Sequence, residues 1–569
     1  MAEIFLKIYS TSDYSDVPIE TCVVLFVIKY CNAPLKITLV RTEKQLEDQS
    51  YSVNISDFSY TVLDMFELPV NAESCELPNL ILNQSSCIAG LCACLRQIIK
   101  LASQSNVQHW CHNLLGFKDS CLLACAETST WTKFCEIDLI STLKQFTKDP
   151  YTSELPPNIV RFEAHMAQPV RLHNIKKYTT SKKFILENLI LKDECNSTLE
   201  HCYAEGSFMT LADLIIFICF HILFMFLEKE KLFKLLPLTG KWYNRIRETE
   251  RIEKCLNIFP REIKNISATD YLPPILSDHQ SLYKSDAKRY KPKSKWFTKQ
   301  EDVEKSLELS RKIIINSKFT SVTDLNDFQI DWNKIPAEAT PEGGLLPLKR
   351  LQKKFHQLEN LCKPVIKLAS PGDVIVDFCS GSGHLGILVA YLLPQCTIVL
   401  LENKEISLNR SKERVKKLKM TNIKFFQCNI DYFKGSFNIG MSLHACGVAT
   451  DLVIQHCLRQ SAIFVSCPCC YGSIQDCHHI TYPRSNIFKS KINLRDYLIL
   501  CHAADQTHDE KNIKTKQGYD CMFIIDTDRK LQAEQYNYTV YLTKLTPETC
   551  TPKNHLLIGV PKNKSVNIY

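Results

Sequence analysis

One stretch, Val374-Ile-Val-Asp-Phe-Cys-Ser-Gly-Ser-Gly-His-Leu-Gly386, narrows the folds open to this chain more than any other. The apolar run Val374–Cys379 reads as a buried strand, Gly381 and Gly383 follow it, and Leu385 to Leu393 then reads as an apolar helix. Glycines there let the chain reverse tightly and let backbone amides approach a ligand at the start of the helix. An acid, Glu402, stands 19 positions beyond Gly383 at the end of the next apolar run, Thr397–Glu402. Folds of this kind hold a ribose diol at that position.

The alternation continues. Ile423–Cys428, Phe437–Leu443 and Ala462–Ser466 are short apolar runs, and helical segments at Ile406–Lys419 and Thr450–Leu458 separate most of them. Continuous apolar strands between helices mean a parallel sheet covered on both faces. Two later runs, Cys521–Asp526 and Tyr538–Leu542, are expected to complete it as strands. The expectation is a doubly wound, Rossmann-like α/β domain.

Asp377, ahead of the glycines, suits the methyltransferase form of the turn, Asp-x-Gly-x-Gly-x-Gly, with Cys379 in place of the first glycine. The expected cofactor is therefore S-adenosylmethionine. Its pocket is expected to include Asp377, Cys379, Gly381, Ser382, Gly383, Glu402 and Asn429. Acceptor-side groups in such a fold lie beyond strands four and five, at Ser442-Leu-His-Ala-Cys-Gly447 and Ser466-Cys-Pro-Cys-Cys-Tyr-Gly472. The Asn/Asp-Pro-Pro-Tyr/Phe loop of amino-group methyltransferases does not follow strand four. His444 is the candidate general base, because imidazole titrates near neutrality. Cys446 and Cys470, one after each strand, are candidate thiolate nucleophiles, an arrangement shared with RNA cytosine-C5 methyltransferases. Cys467, Cys469, Cys470, Cys477, His478 and His479 offer metal ligands, but two separated Cys-x-x-Cys or Cys/His pairs are missing, so no metal is expected.

The chain has 569 residues, too many for one core, and 27 cysteines. No signal peptide is read at Met1-Ala-Glu-Ile-Phe-Leu-Lys7, so the expectation is a reduced, cytoplasmic protein whose cysteines are mostly small buried hydrophobes. The apolar run Leu214–Leu227 is shorter than the roughly 20 residues a membrane span requires. It reads as a helix buried in a bundle, capped by Thr210 and Asp213, and no membrane partner is expected. Near the N-terminus, Ile4–Tyr9, Leu35–Val40 and Leu80–Leu82 read as strands, and Glu20–Lys29 and Cys87–Lys100 as helices.

The segments Val376–Gly386, Ile439–Asp451 and Ser466–Gly472, with Phe208–Asp213, Pro237 and Lys241-Trp-Tyr243, closely resemble the glutathione S-transferase C-terminal domain-containing proteins. The likeness spans nearly the whole chain. It implies a transferase-like helical domain fused to a methyltransferase domain, and it supplies no substrate. The expected organisation is a degenerate thioredoxin-like domain at 1–105 and a helical transferase C-terminal-like domain at 106–262, with an exposed insertion near 165–200. A linker at 263–335 and a class I methyltransferase-like domain at 336–569 follow.

A catalytic glutathione transferase needs a thiolate partner near the end of strand one, a cis-proline and a Glu/Gln-Ser pair. Tyr9, Ser10 and Ser12 are available for the first, and Pro78 and Gln84-Ser85 are read as remnants of the others. Only five residues lie between Pro78 and Gln84, too few for the usual two-strand hairpin, so this half is read as a scaffold or partner-binding module. The basic run Lys288, Arg289, Lys291, Lys293 and Lys295, with Tyr290 and Trp296, makes RNA an expected acceptor class beside protein. The competing readings are a non-catalytic scaffold that keeps a cofactor fold and a glutathione-dependent transferase.

Overall fold

The computed structural model describes residues 2–104, 109–117, 122–148, 154–175, 200–227, 229–260, 282, 299–320, 329–344, 346–475, 477, 480–508 and 514–564. The basic run 288–296, His478, His479 and most of the 165–200 insertion lie outside them. The chain forms two compact units, 1–83 with 88–288, and 289–569 with 84–87.

The first unit contains β1 (Glu3–Ile8), β2 (Tyr14–Val17), β3 (Lys36–Arg41), β4 (Tyr51–Asn54), β5 (Tyr60–Asp64), β6 (Asn79–Asn83) and the last two residues of β7 (Ser86–Ala89). The order β7-β6-β1-β3-β5 builds its sheet, with β1, β3 and β5 parallel and β6 antiparallel to β1. β2 and β4 pair separately. The apolar helix α1 (Ile19–Cys31) is buried on almost every side. The segment read as one helix from Cys87 instead splits: strand β7 comes first, and α2 (Leu91–Ser103) starts after Gly90. Leu77–Pro78 is a cis peptide. The hairpin β6–β7 does follow it, with Gln84 and Ser85 in its turn, because the second strand lies beyond the pair rather than before it.

Helices complete this unit: α3 (Leu122–Lys133), α4 (Leu139–Lys148), α5 (Pro157–Met166), α6 (Leu211–Phe224) and α7 (Pro237–Arg247). The apolar run is indeed a core helix, α6, with all but His221 of its 14 residues buried. Its capping box forms as read, the Thr210 N–H donating to Asp213 Oδ2 at 2.8 Å. Asp213 is fully buried yet satisfied, since the Ala204 N–H and Trp242 Nε1–H also donate to it. No helix among the described residues is long and apolar enough to cross a membrane.

In the second unit, α8 (Gln300–Arg311) falls inside the span read as linker. Its Val303 and Leu307 are buried in a core shared with Tyr471, Tyr497 and Ile524, so that part of the span is folded domain. Next come α9 (Leu348–Leu368), β8 (Val374–Phe378), α10 (His384–Leu392), β9 (Thr397–Leu401), α11 (Glu405–Leu418) and β10 (Ile423–Gln427). β11 (Ile439–Cys446), α12 (Val448–Arg459), β12 (Ile463–Cys469), α13 (Leu494–Ala503), α14 (Thr515–Gln535), β13 (Tyr538–Lys544) and β14 (His555–Pro561) complete it.

The order is β10-β9-β8-β11-β12-β14-β13, with the first five strands parallel and β14 antiparallel to both neighbours. The strand order reverses between β8 and β11, which makes the carboxyl end of that pair the crevice where such sheets bind ligands. One expected strand is absent: Cys521–Asp526 lies inside α14. The apolar run suits a helix as well as a strand when every side is covered, and length decides between them. The last strand is β14, seven residues that are all buried.

Candidate functional site

The end of β8 and the glycine-rich turn place five expected cofactor residues at that crevice, Asp377, Cys379, Gly381, Ser382 and Gly383, and Glu402 follows β9. Asp377, the penultimate residue of β8, is fully buried and accepts the Gly386 N–H at 2.9 Å. A Cβ on Gly386 would meet Leu400 at 2.1 Å, so only glycine lets α10 start this close to the sheet. Burial pushes the Asp377 carboxyl up to about 7, against the Gly386 hydrogen bond and the Lys354 ammonium, and Glu402 adds to the rise. Cys379, Gly381 and Gly383 have φ of 55°, 56° and 70°. Cys379 thus adopts the left-handed backbone that the motif normally gives to glycine.

Glu402 closes the turn. Its Oε2 accepts the Gly381 N–H and its Oε1 the Lys404 N–H, both at 2.8 Å. A Cβ at Gly381 would meet nothing within 4 Å, so open space faces that backbone. Asn429 is exposed beyond β10 and accepts from Asn403 Nδ2 at 3.2 Å.

Two cations that sequence reasoning missed complete the crevice. Arg414 of α11 is buried and donates to the carbonyls of Ser382 and Glu338 at 2.9 Å and of Thr340 at 3.1 Å, tying the turn to the segment before α9. Lys354 of α9 faces Asp377, Cys467 and Cys469; burial lowers its pKa to about 8 although those groups act to raise it. Both lie in lysine- and arginine-rich helices, where charge alone does not mark which cation turns inward.

At the ends of strands four and five the register shifts between Leu443 and Cys446. The irregularity exposes His444 and Cys446 while Ala445 stays buried, which re-aims both expected side chains out of the sheet. His444 has φ 72°, and its Nε2 lies 3.3 Å from Gln357 Oε1. Surrounding protein atoms and the Lys354 ammonium hold its pKa below the ordinary imidazole value, although the residue is exposed.

Cys446 is paired in register with Cys469, and their sulfurs are 3.2 Å apart. The Sγ of Cys470 joins them, all three within 4.8 Å of one another. S–H donation from Cys469 and Cys446 outweighs partial burial and holds the Cys470 thiol low. Cys467 stays in the core, its thiol donating to the Lys553 carbonyl, so it is no part of the cluster.

Helix α14 supports the loop from behind. Tyr471 donates to Asp526 Oδ2 at 2.7 Å, and Arg529 bridges Asp526 at 2.9 Å and Asp451 at 2.7 Å. All four are buried. Asp505 accepts the N–H groups of Tyr471 and Gly472 and pairs with Lys553 at 3.0 Å.

The expected thiolate partners of the first unit are occupied locally. Ser10 Oγ accepts the Asp16 N–H at 3.1 Å, and Ser12 donates to the Tyr14 carbonyl. Burial, together with Asp48 and Glu20, pushes Tyr9 up to about 12, an environment that opposes a thiolate. At the start of α2, the Cys92 N–H donates to Glu136 Oε2 at 2.9 Å, so the protein's own carboxylate takes a position that favours anions.

A family model described as a methyltransferase domain matches residues 353–477, which hold Lys354, the glycine-rich turn and the thiol cluster. An rRNA methylase from Streptococcus thermophilus is similar at 11% identity over 36% of this chain and 93% of that one, with a TM-score of 0.22. The human glutathione S-transferase C-terminal domain-containing protein is 33% identical, covering 96% of each chain. Its Drosophila melanogaster homologue is 40% identical, covering 95% of each. With identity of that level along nearly the whole length, the chain belongs to the family of glutathione S-transferase C-terminal domain-containing proteins.

Proposed function

We propose that the second unit is an S-adenosylmethionine-dependent methyltransferase. The observation that carries this reading is Glu402 holding the Gly381 N–H at the switch point of a doubly wound sheet, with open space in front of the glycine. The residues fit the cofactor. Glu402 has lone pairs left for a ribose diol, and Asp377 with Lys354 offers a buried acid and a cation to a zwitterionic amino acid end. Bound S-adenosylmethionine supplies an electrophilic methyl on a sulfonium, displaced in line. His444, neutral at pH 7, would take a proton from the acceptor. Titration calorimetry of the full chain should show heat of binding at micromolar to millimolar cofactor; neither heat nor a thermal shift at millimolar cofactor would sink the reading.

RNA is the acceptor class we put forward, supported by the five cations and two aromatics at 288–296. Crosslinking to cellular RNA should fall when all five are neutralised, and equal yields would remove RNA from consideration. The first unit we read as a degenerate thioredoxin-like fold joined to a transferase-like helical domain that binds a partner. The order β7-β6-β1-β3, with β6 reversed, supports the fold. The Glu136 carboxylate at α2 speaks against glutathione.

A further inference from the structure

We propose that Cys446, Cys469 and Cys470 bind one thiophilic divalent cation of the zinc class. The sheet brings them together: register pairs Cys446 with Cys469, and Cys470 follows in a left-handed backbone with φ 50°. Gly447, whose N–H donates to the Cys469 carbonyl at 3.0 Å, locks the two strand ends. A Cβ there would meet the Ser473 carbonyl oxygen at 2.7 Å, so the loop that carries Cys470 sits directly against it.

The size of the cluster suits a metal. Bonds of about 2.3 Å at tetrahedral angles put thiolate sulfurs about 3.8 Å apart. The observed contact of 3.2 Å and the outer limit of 4.8 Å bracket that value, so binding requires only side-chain adjustment. Three thiolates around a doubly charged ion leave one net negative charge. Lys354 acts on the thiol of Cys469, and Lys553 on those of Cys470 and Cys469, which offsets it. All three sulfurs bind as thiolates, so whichever thiols are still protonated release their protons to solvent, and no oxidation state changes. The alternative use of the same sulfurs is a free nucleophile at Cys470, and the two readings differ in what zinc does to its reactivity.

The test uses the full chain, reduced and handled without oxygen. Elemental analysis should find roughly one zinc per chain. Cobalt(II) titration should give a thiolate-to-cobalt charge-transfer band together with the visible bands of a tetrahedral ion. Cys446→Ser with Cys470→Ser should lose both, and Cys202→Ser, in the other unit, should keep them. Since serine at these positions can also loosen the fold, the wild type is stripped of metal with a chelator, then alkylated with iodoacetamide with and without added zinc and mapped by mass spectrometry. One equivalent of zinc should slow labelling of Cys446 and Cys470 at least tenfold. Unchanged labelling, absence of the cobalt band, or full metal content in the double variant overturns the proposal. None of these readouts depends on methyl transfer, so failure here and failure of the methyltransferase reading are distinguishable.

Discussion

Glu402 already accepts two backbone N–H groups, so its side chain shapes the turn before any ligand arrives. Glu402→Ala removes the proposed ribose contact and loosens Gly381 at once. Cofactor affinity should fall roughly 10- to 150-fold, about 1.5–3 kcal/mol, in titration calorimetry. Affinity within twofold of wild type would show that the acid only braces the loop. Asp377, Gly381, Gly383 and Glu402 were legible in the sequence because one strand–turn–helix unit carries three of them and a fixed offset carries the fourth. Lys354 and Arg414 were not. A lysine pair in a charged helix reads as a solvated face, and only packing against β12 and the turn shows which member faces inward.

At the scale of elements, α14 is where sequence reasoning and structure part most. Cys521-Met-Phe-Ile-Ile-Asp526 has the apolar density of a strand, but Asp526, Asp528 and Arg529 are buried as well, and each has a partner on another element, Tyr471, Ser485 and Asp451. Arg529→Met would leave Asp451 and Asp526 without their shared cation in a dry interior. We expect urea denaturation to show a loss of about 3–5 kcal/mol. A loss under 1 kcal/mol would mean that Tyr471 and His555 at Asp526, with Tyr482 and Arg484 at Asp451, satisfy the two acids without it. In the first unit, α2 begins on a bond from Cys92 to Glu136, and Tyr9 sits beside acids. We expect no conjugation of a standard electrophile with glutathione above the uncatalysed rate. Turnover abolished by Ser10→Ala would overturn that expectation.

Across the whole molecule, buried groups of opposite sense balance the response to acid. Burial lowers His165 to about 3, so the unfolded chain binds more protons from pH 6.5 down to 3 and stability is lost on acidification. Burial raises Glu205 to about 7, so the folded chain binds more protons between pH 7 and 4.5, and stability is gained over that window. Between pH 7 and pH 5 each effect is about 2 kcal/mol, and the two oppose each other. Compared with wild type, His165→Asn should therefore shift the change in unfolding free energy from pH 7 to 5 by about 2 kcal/mol in favour of the fold. Glu205→Gln should shift it by a similar amount the other way. Parallel curves for all three proteins would show that neither group titrates in this range.

By itself, the sequence determined what depends on neighbours along the chain. That covers the strand–turn–helix of the glycine-rich loop, the apolar helix capped by Thr210 and Asp213, and the family to which the chain belongs. Period and spacing carry such features, because backbone geometry acts over a few residues. Tertiary structure alone decided the rest. Whether Cys521–Asp526 becomes strand or helix depends on what covers it. Whether Cys446, Cys469 and Cys470 are three separate thiols or one cluster depends on the register of β11 against β12 and on the left-handed turn at Cys470. Positions 446 and 469 are far apart in the chain, and only strand pairing brings their sulfurs to 3.2 Å.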